Sequence, residues 1–329
     1  MTRVAAIDCG TNSIRLLVAE IDGTGLHELT RRMEIVRLGA GVDRTGELAP
    51  QALERTLVAL RDYAGEIERL GATRVRMVAT SATRDARNRG VLVAGVREIL
   101  GVDPEVISGD EEASLSFAGA IGDLVGKASV ATPILLADIG GGSTELVLGG
   151  RAGVLAARSV NVGCVRLAER HLHNDPPTAA QTAAIVADAR SAFDLAAQTV
   201  PITEAATLVG VAGTVTTVAA LAADLPGYDA ERIHLSVTSA DQVAEVTERL
   251  LAMTRGERAA LAVMHPGRVD VIAAGALVLR TLVERTGAAA VVASERDILD
   301  GIALALAGAS STPLPPTGSA SPASPVATG

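Results

Sequence analysis

The sequence predicts a two-domain α/β protein in which a mixed sheet with helices on its faces occurs twice. Three observations carry that expectation. The 329 residues allow two domains, each long enough to bury its own core, at about 100 to 200 residues apiece. Strand and helix patterns open in the order βββαβαβα, a meander followed by crossovers, which closes into an α/β layer fold. DCGTNSIRL from Asp8 and DIGGGSTEL from Asp138 share Asp, Gly, Ser and Leu at the same offsets, and a repeat of one domain length is a duplication rather than a solenoid. The expected division is residues 1–126, residues 127–308 and a tail over 309–329.

In the first unit, apolar runs predict strands over Arg3–Ile7, Ile14–Ile21 and Met33–Leu38. A helix follows, because Leu53, Leu57, Leu60, Ala64, Ile67 and Leu70 recur at spacings of three and four, with Pro50 at the start and Gly71 as the stop. A strand over Arg74–Ala79, a helix over Ser81–Leu100, a strand over Pro104–Ile107 and a helix over Asp110–Val125 complete the unit. The second unit repeats the meander as Ile134–Ala137, Glu145–Leu148 and Val154–Val160. Helices over Cys164–Leu172 and Ala179–Thr199, a strand over Ala206–Val211 and a helix from Thr214 come next. Helices over Ser239–Ala252 and Arg268–Arg285, a short strand over Ala289–Ala293 and a last helix over Arg296–Leu306 end the folded part, and that last helix is a candidate to pack on the first domain. From Ser310 the chain is uncharged and rich in Pro, Ser, Gly and Thr, a composition expected to stay disordered.

Composition narrows the function. With 29 Lys and Arg against 38 Asp and Glu the net charge is −9, which argues against a general electrostatic grip on nucleic acid. Tyr63, Phe117, Phe193 and Tyr228 are the only aromatic residues, too few for a base-stacking platform. Lys127 is the sole lysine, so positive charge lies on arginines, which pair bidentately with carboxylate and phosphate. Cys9 and Cys164 stand far apart without a CxxC pattern and read as small buried hydrophobes. His171 and His173 lack further ligands nearby. Asp8 breaks the N-terminal apolar run, and no stretch reaches about 18 uninterrupted apolar residues. A cytoplasmic chain with no membrane partner is expected.

The chemistry gathers at glycine-rich turns. Each copy ends an apolar strand with an aspartate, Asp8 or Asp138, and turns through small polar residues: Gly10, Thr11, Asn12 and Ser13 in one, Gly140, Gly141, Gly142, Ser143 and Thr144 in the other. Such a hairpin offers backbone N–H groups and hydroxyls as a nest for phosphate oxygens, with glycine allowing close approach. An ordinary hairpin turn is the competing reading of either copy alone, and recurrence in both units favours the nest. An aspartate beside phosphate needs a bridging cation, and Mg²⁺ or Mn²⁺ held by Asp138, Asp8 and Glu145 is expected. Gly213 and Thr214 open a helix after a strand, a further anion position. No GxxxxGK[ST] signature surrounds Lys127, which excludes P-loop chemistry.

Taken in order, AAIDCGTNSIRLL, MVATSATRDARN, VISGDEEASLSF, LADIGGGSTELVLG, GCVRL and GVAGTVTT resemble the exopolyphosphatase/guanosine-pentaphosphate phosphatase family over about residues 1–308. The resemblance implies duplicated actin-like ATPase (ribonuclease H-like) domains, with the active site in the cleft between them. It implies Glu112 as the base that activates water, with Glu111 as the fallback, and Arg84 as a phosphate-binding arginine. Without the resemblance, Asp110, Glu111 and Glu112 equally suit a helix N-terminus as dipole compensation. Arg268 and Arg166 are weaker candidates to hold the rest of a phosphate chain. The implied substrate is inorganic polyphosphate or, alternatively, guanosine pentaphosphate (pppGpp). An ATPase or kinase of the same superfamily and a non-catalytic polyphosphate sensor are further alternatives. The Ala- and Val-rich helices of the second half suit a homodimer.

Overall fold

The computed structural model describes residues 2–23, 25–124, 127 and 130–308. The helix end expected at Val125, the domain boundary at residue 126 and the tail over 309–329 lie outside the described residues. The first lobe runs β1 (Thr2–Cys9), β2 (Ser13–Asp22), β3 (Gly25–Ile35), α1 (Val42–Thr45), α2 (Pro50–Leu70), β4 (Arg74–Ala79), α3 (Ser81–Asp85), α4 (Gly90–Leu100), β5 (Glu105–Val106) and α5 (Gly109–Leu124). The second runs β6 (Ile134–Ile139), β7 (Thr144–Gly150), β8 (Gly153–Val160), α6 (Cys164–His171), α7 (Ala179–Ala197), β9 (Thr207–Val211) and α8 (Ala212–Ala222). It continues as α9 (Ala230–Ile233), β10 (Val237–Ser239), α10 (Ala240–Ala252), α11 (Arg255–Ala259), a 3₁₀ turn at Pro266–Arg268, α12 (Ile272–Thr286), β11 (Ala290–Ala293) and α13 (Ile298–Gly308).

The duplication is visible in the sheets. The first has the order β3-β2-β1-β4-β5 and the second β8-β7-β6-β9-β11, with β10 added at its edge. In both, the first three strands are antiparallel neighbours and the next two are parallel to the central strand. The two α/β sheets with flanking helices form the duplicated architecture expected from the sequence. Among the described residues no helix is long and apolar enough to cross a membrane.

Several local expectations fail for physical reasons. The helix expected over Ser81–Leu100 breaks at Ala86, whose extended backbone ends α3. Asn88 then clasps the Leu48 backbone, accepting from its N–H at 2.8 Å and donating to its carbonyl at 3.0 Å. The strand expected over Met33–Leu38 lies earlier, because β3 is a half-exposed edge strand whose charged residues hide its alternation. The helix expected from Arg268 starts at Ile272, after the 3₁₀ turn that Pro266 opens. The short α1, α9, α11 and β10 carry too few residues for a periodicity.

The helices α5 and α13 exchange partners between lobes. Ala113, Phe117, Ala120 and Leu124 of α5 pack on β6, β7 and β9 of the second sheet. Ile298, Leu299, Ile302 and Ala303 of α13 pack on β1, β2 and β4 of the first. The two helices cross where Gly119 meets Gly301: a Cβ on Gly119 would fall 1.8 Å from the Asp297 carbonyl oxygen, and one on Gly301 2.0 Å from that of Leu115. Only glycine permits that approach.

Candidate active site

The site begins with strand parity. Along β1 the side chains of Ala5, Ile7 and Cys9 enter the core under α2, and Val4 and Ala6 enter the one under α13, so Asp8 falls on the α13 side. Along β6 Leu135, Ala137 and Ile139 face one way and Ile134 and Leu136 the other, which turns Asp138 toward α5. Both aspartates are buried in the layer between the sheets. After each, the chain closes the same turn: Gly10 N–H donates to Ser13 O at 2.9 Å and Gly140 N–H to Ser143 O at 3.1 Å. The two turns touch, and a Cβ on Gly142 would lie 2.5 Å from Ser81 Oγ and 2.8 Å from Thr11 Oγ1.

Gly10, Thr11, Asn12, Ser13, Gly140, Gly141, Gly142 and Ser143 line one cleft of about 120 Å³ with Asp8, Asp138, Glu112, Gly213, Thr214 and Arg268. Arg268 donates from Nη1 to Thr217 Oγ1 at 3.1 Å and forms no ion pair among the described residues. Glu112 and Glu111, adjacent in α5, diverge by about 100°. Glu112 turns into the cleft and accepts from Arg84 Nη1 at 3.1 Å, while Glu111 pairs with Arg76 on the outer surface at 3.0 Å.

Burial sets the electrostatics. It pushes the Glu112 carboxyl up to about 7 against the Arg84 guanidinium, with Asp138 and Asp8 adding to the rise. Asp138 is pushed up to about 6, again by burial first. Ser116, one turn beyond Glu112 on α5, opposes that rise by donating to Asp138 Oδ2 at 2.6 Å. Asp8 is raised by burial against Arg15, and Glu145 well above its ordinary range by burial beside Glu112 and Asp138. Arg15 grips Asp8 Oδ2 through Nε at 3.0 Å and Nη2 at 2.7 Å and pairs with Asp297 through Nη1.

These groups fit a hydrated divalent cation. Asp8 Oδ1 is buried without a protein partner among the described residues, and the Asp138 carboxyl beside it has only a hydroxyl donor. Asp138 and Asp8 are the residues that would hold such an ion.

Some sequence-derived site residues stand elsewhere. Thr144 spends its hydroxyl on Val162 O at 2.6 Å and does not line the cleft. Glu145 lies behind the wall, accepting from Ser159 at 2.7 Å. Arg84 backs Glu112 and the Ile107 carbonyl, 2.9 Å away, and is not a cleft-lining residue. Arg166 is held by Gly142 O, Asp43 and Asp85, outside the cleft. His171 pairs with Asp188 at 2.9 Å, and His173 is exposed. Sequence reasoning missed Arg15, Ser116 and Asp297. Only Arg15 had a local signal, since a hairpin that pairs Cys9 with Ile14 sets Arg15 opposite Asp8.

Fold and site define a class: a two-lobed α/β protein with a carboxylate-lined cleft between duplicated glycine-rich hairpins. The chain belongs to the Ppx/GppA phosphatase family, whose sequence pattern matches residues 17–308. It is 52% identical over 322 residues to Exopolyphosphatase 2 of Mycobacterium tuberculosis, covering 94% of this chain and 99% of that protein. An exopolyphosphatase-like protein of solved structure is 45% identical, with a TM-score of 0.88 over 92% of this chain and 98% of its own. The exopolyphosphatase of Cytophaga hutchinsonii is 26% identical, with a TM-score of 0.82 over 93% of this chain and 98% of its own.

Proposed function

We propose that the chain is an exopolyphosphatase, releasing terminal orthophosphate from inorganic polyphosphate by attack of a water that Glu112 deprotonates. The observation that carries this reading is the placement of Glu112, buried at the cleft beside both turns with its carboxyl pushed up to about 7. That poise suits a general base at neutral pH. The terminal phosphoryl oxygens would rest on N–H groups of the two turns and at the N-terminus of α8, where the dipole favours an anion. As the water oxygen bonds to phosphorus, the bridging P–O bond breaks, the proton passes to Glu112, and the shortened chain leaves as an anion. Arg268 offers a guanidinium for the oxygens. Mg²⁺ or Mn²⁺, held by Asp138 and Asp8, supplies further positive charge when bound. The names of the relatives support the same substrate.

A second reading, guanosine pentaphosphate, draws support from one feature. A cavity of about 510 Å³ adjoins the cleft at Arg15, Gly213 and Arg268, walled by Val263, Met264 and Tyr228. It also presents the Glu295 carboxylate, which accepts from Tyr228 OH at 2.6 Å. An apolar wall with an acceptor suits a nucleobase, whereas a phosphate chain needs neither. Phosphate release from long polyphosphate, guanosine pentaphosphate and ATP, compared side by side with Mg²⁺, tests both. Fastest release from polyphosphate, lost in Glu112→Gln, is expected. Release from guanosine pentaphosphate alone would transfer the assignment, and full activity in Glu112→Gln would remove the base.

A further inference from the structure

We propose that Arg166 is a positioning residue for the second phosphate turn, set in place by three acceptors that belong to both lobes. The inference rests on the exopolyphosphatase reading and goes beyond it. Arg166 stands on α6 of the second lobe, and its side chain is 12% exposed. Its Nε donates to Gly142 O at 2.8 Å, Nη2 pairs with Asp85 at 2.6 Å, and Nη1 pairs with Asp43. Gly142 belongs to the second lobe's turn, whereas Asp43 lies in α1 and Asp85 ends α3, both in the first lobe. A planar fork with donors on three nitrogens can serve three acceptors at once; an ammonium is a point charge without that geometry.

The contact with Gly142 has a geometric consequence. In a trans peptide the carbonyl and the following N–H point to opposite sides. Drawing the Gly142 carbonyl toward Arg166, away from the cleft, turns the Ser143 N–H to the opposite side, and Ser143 is a cleft residue. The guanidinium thus orients an amide of the phosphate nest without touching phosphate. Because two of its acceptors lie across the lobe junction, this orientation is complete only when the lobes are together.

Neighbouring contacts tie the same helix to the first lobe. Arg170 pairs with Asp43 at 3.0 Å and with Asp188 at 2.9 Å. Glu169 accepts from the Gly41 N–H at 3.0 Å. Burial works against the Asp43 carboxylate, yet the Arg170 and Arg166 guanidiniums hold its pKa below the usual carboxylate range.

The rival role, direct contact with the substrate chain, predicts the opposite response to removal of the acids. Asp43→Asn with Asp85→Asn would free Arg166 for phosphate and lower KM if the contact were direct. If Arg166 positions the turn, the double variant reproduces Arg166→Ala, and both lose about 10- to 100-fold in kcat, the scale expected of a reacting group displaced by about 1 Å. Arg166→Lys is expected to melt like wild type without recovering kcat. Small-angle scattering of the full chain without substrate gives an independent readout. Both disrupted proteins should be more extended than wild type at the same ionic strength. A double variant with wild-type kcat or lowered KM, or an Arg166→Ala protein with the wild-type scattering profile, overturns the proposal. If wild type releases no phosphate from any substrate, the exopolyphosphatase reading fails, and the scattering comparison still decides whether Arg166 joins the lobes.

Discussion

Replacing Arg84 should move the pH dependence of phosphate release, because Arg84 is the electrostatic partner of Glu112, the proposed base. The Glu112 carboxyl is pushed up to about 7 by burial, and the guanidinium 3.1 Å from its Oε2 opposes that rise. A base must be ionised to accept a proton, so kcat/KM should climb about tenfold per pH unit below 7 and level off above it. An opposite charge at this range typically lowers a carboxyl pKa by about 1 to 3. Arg84→Ala should therefore shift the acid limb upward by that amount. At pH 7 the ionised fraction would fall from about one half to between about a tenth and a thousandth, with half-recovery displaced to about pH 8 to 10. Glu112→Gln should lose the limb and about 10² to 10⁴ in kcat, while Glu111→Gln, whose parent residue pairs with Arg76 on the surface, should keep both. The assay is the pH profile of kcat/KM on polyphosphate for the four proteins. An unmoved limb in Arg84→Ala, or an intact limb in Glu112→Gln, would refute the assignment.

The same carboxyl affects stability. Its pKa in the folded chain lies above its ordinary 4.5, so folding favours its protonated form, and its contribution is full below 4.5 and lost as pH rises through about 7. Glu112→Gln should consequently melt higher than wild type at pH 8, by up to about 3 kcal/mol, and equally at pH 4.5; equal melting at both would show that burial does not strain Glu112. Asp138→Ala should raise the Mg²⁺ concentration for half-maximal activity, and an unchanged titration would remove the aspartate from cation binding. Gly119→Ala would drive a methyl into the Asp297 carbonyl, so a melting curve should show a loss of about 1 to 3 kcal/mol, and a wild-type curve would mean that the helix crossing yields freely.

How far the sequence could be read depended on how far each interaction reaches along the chain. Both hairpins and the α2 stripe are local patterns and are present, and the strands run one residue past Asp8 and Asp138, to Cys9 and Ile139. The division of labour between Glu111 and Glu112 needed the helix phase relative to the cleft, which the resemblance implied and spacing alone left open. Arg15 with Asp297 joins residues 282 positions apart, and no local period announces such a pair. Arg166 illustrates a different failure. In sequence it is a weaker candidate to hold the rest of a phosphate chain, but α6 turns it toward Asp43 and Asp85, and both lie more than 80 positions away.

Two copies of one hairpin could have made two separate sites, and the helix exchange explains why they make one. α5 leaves the first lobe to cover the second sheet, and α13 returns to cover the first, so the N-terminal ends of both helices enter the layer between the sheets. Each brings a carboxylate, Glu112 on α5 and Asp297 ahead of α13, where Asp297 accepts from the Leu299 N–H at 3.0 Å. The duplication is then broken chemically. Asp8 and Asp297 share the Arg15 guanidinium, which offsets one of their two charges, whereas Asp138 is met by the Ser116 hydroxyl and by no guanidinium among the described residues. Because no guanidinium grips Asp138 as Arg15 grips Asp8, a cation in the cleft is expected to bind Asp138 more tightly than Asp8. The asymmetry follows from position 15, where the first hairpin carries an arginine and the second, at the matching offset, carries Glu145.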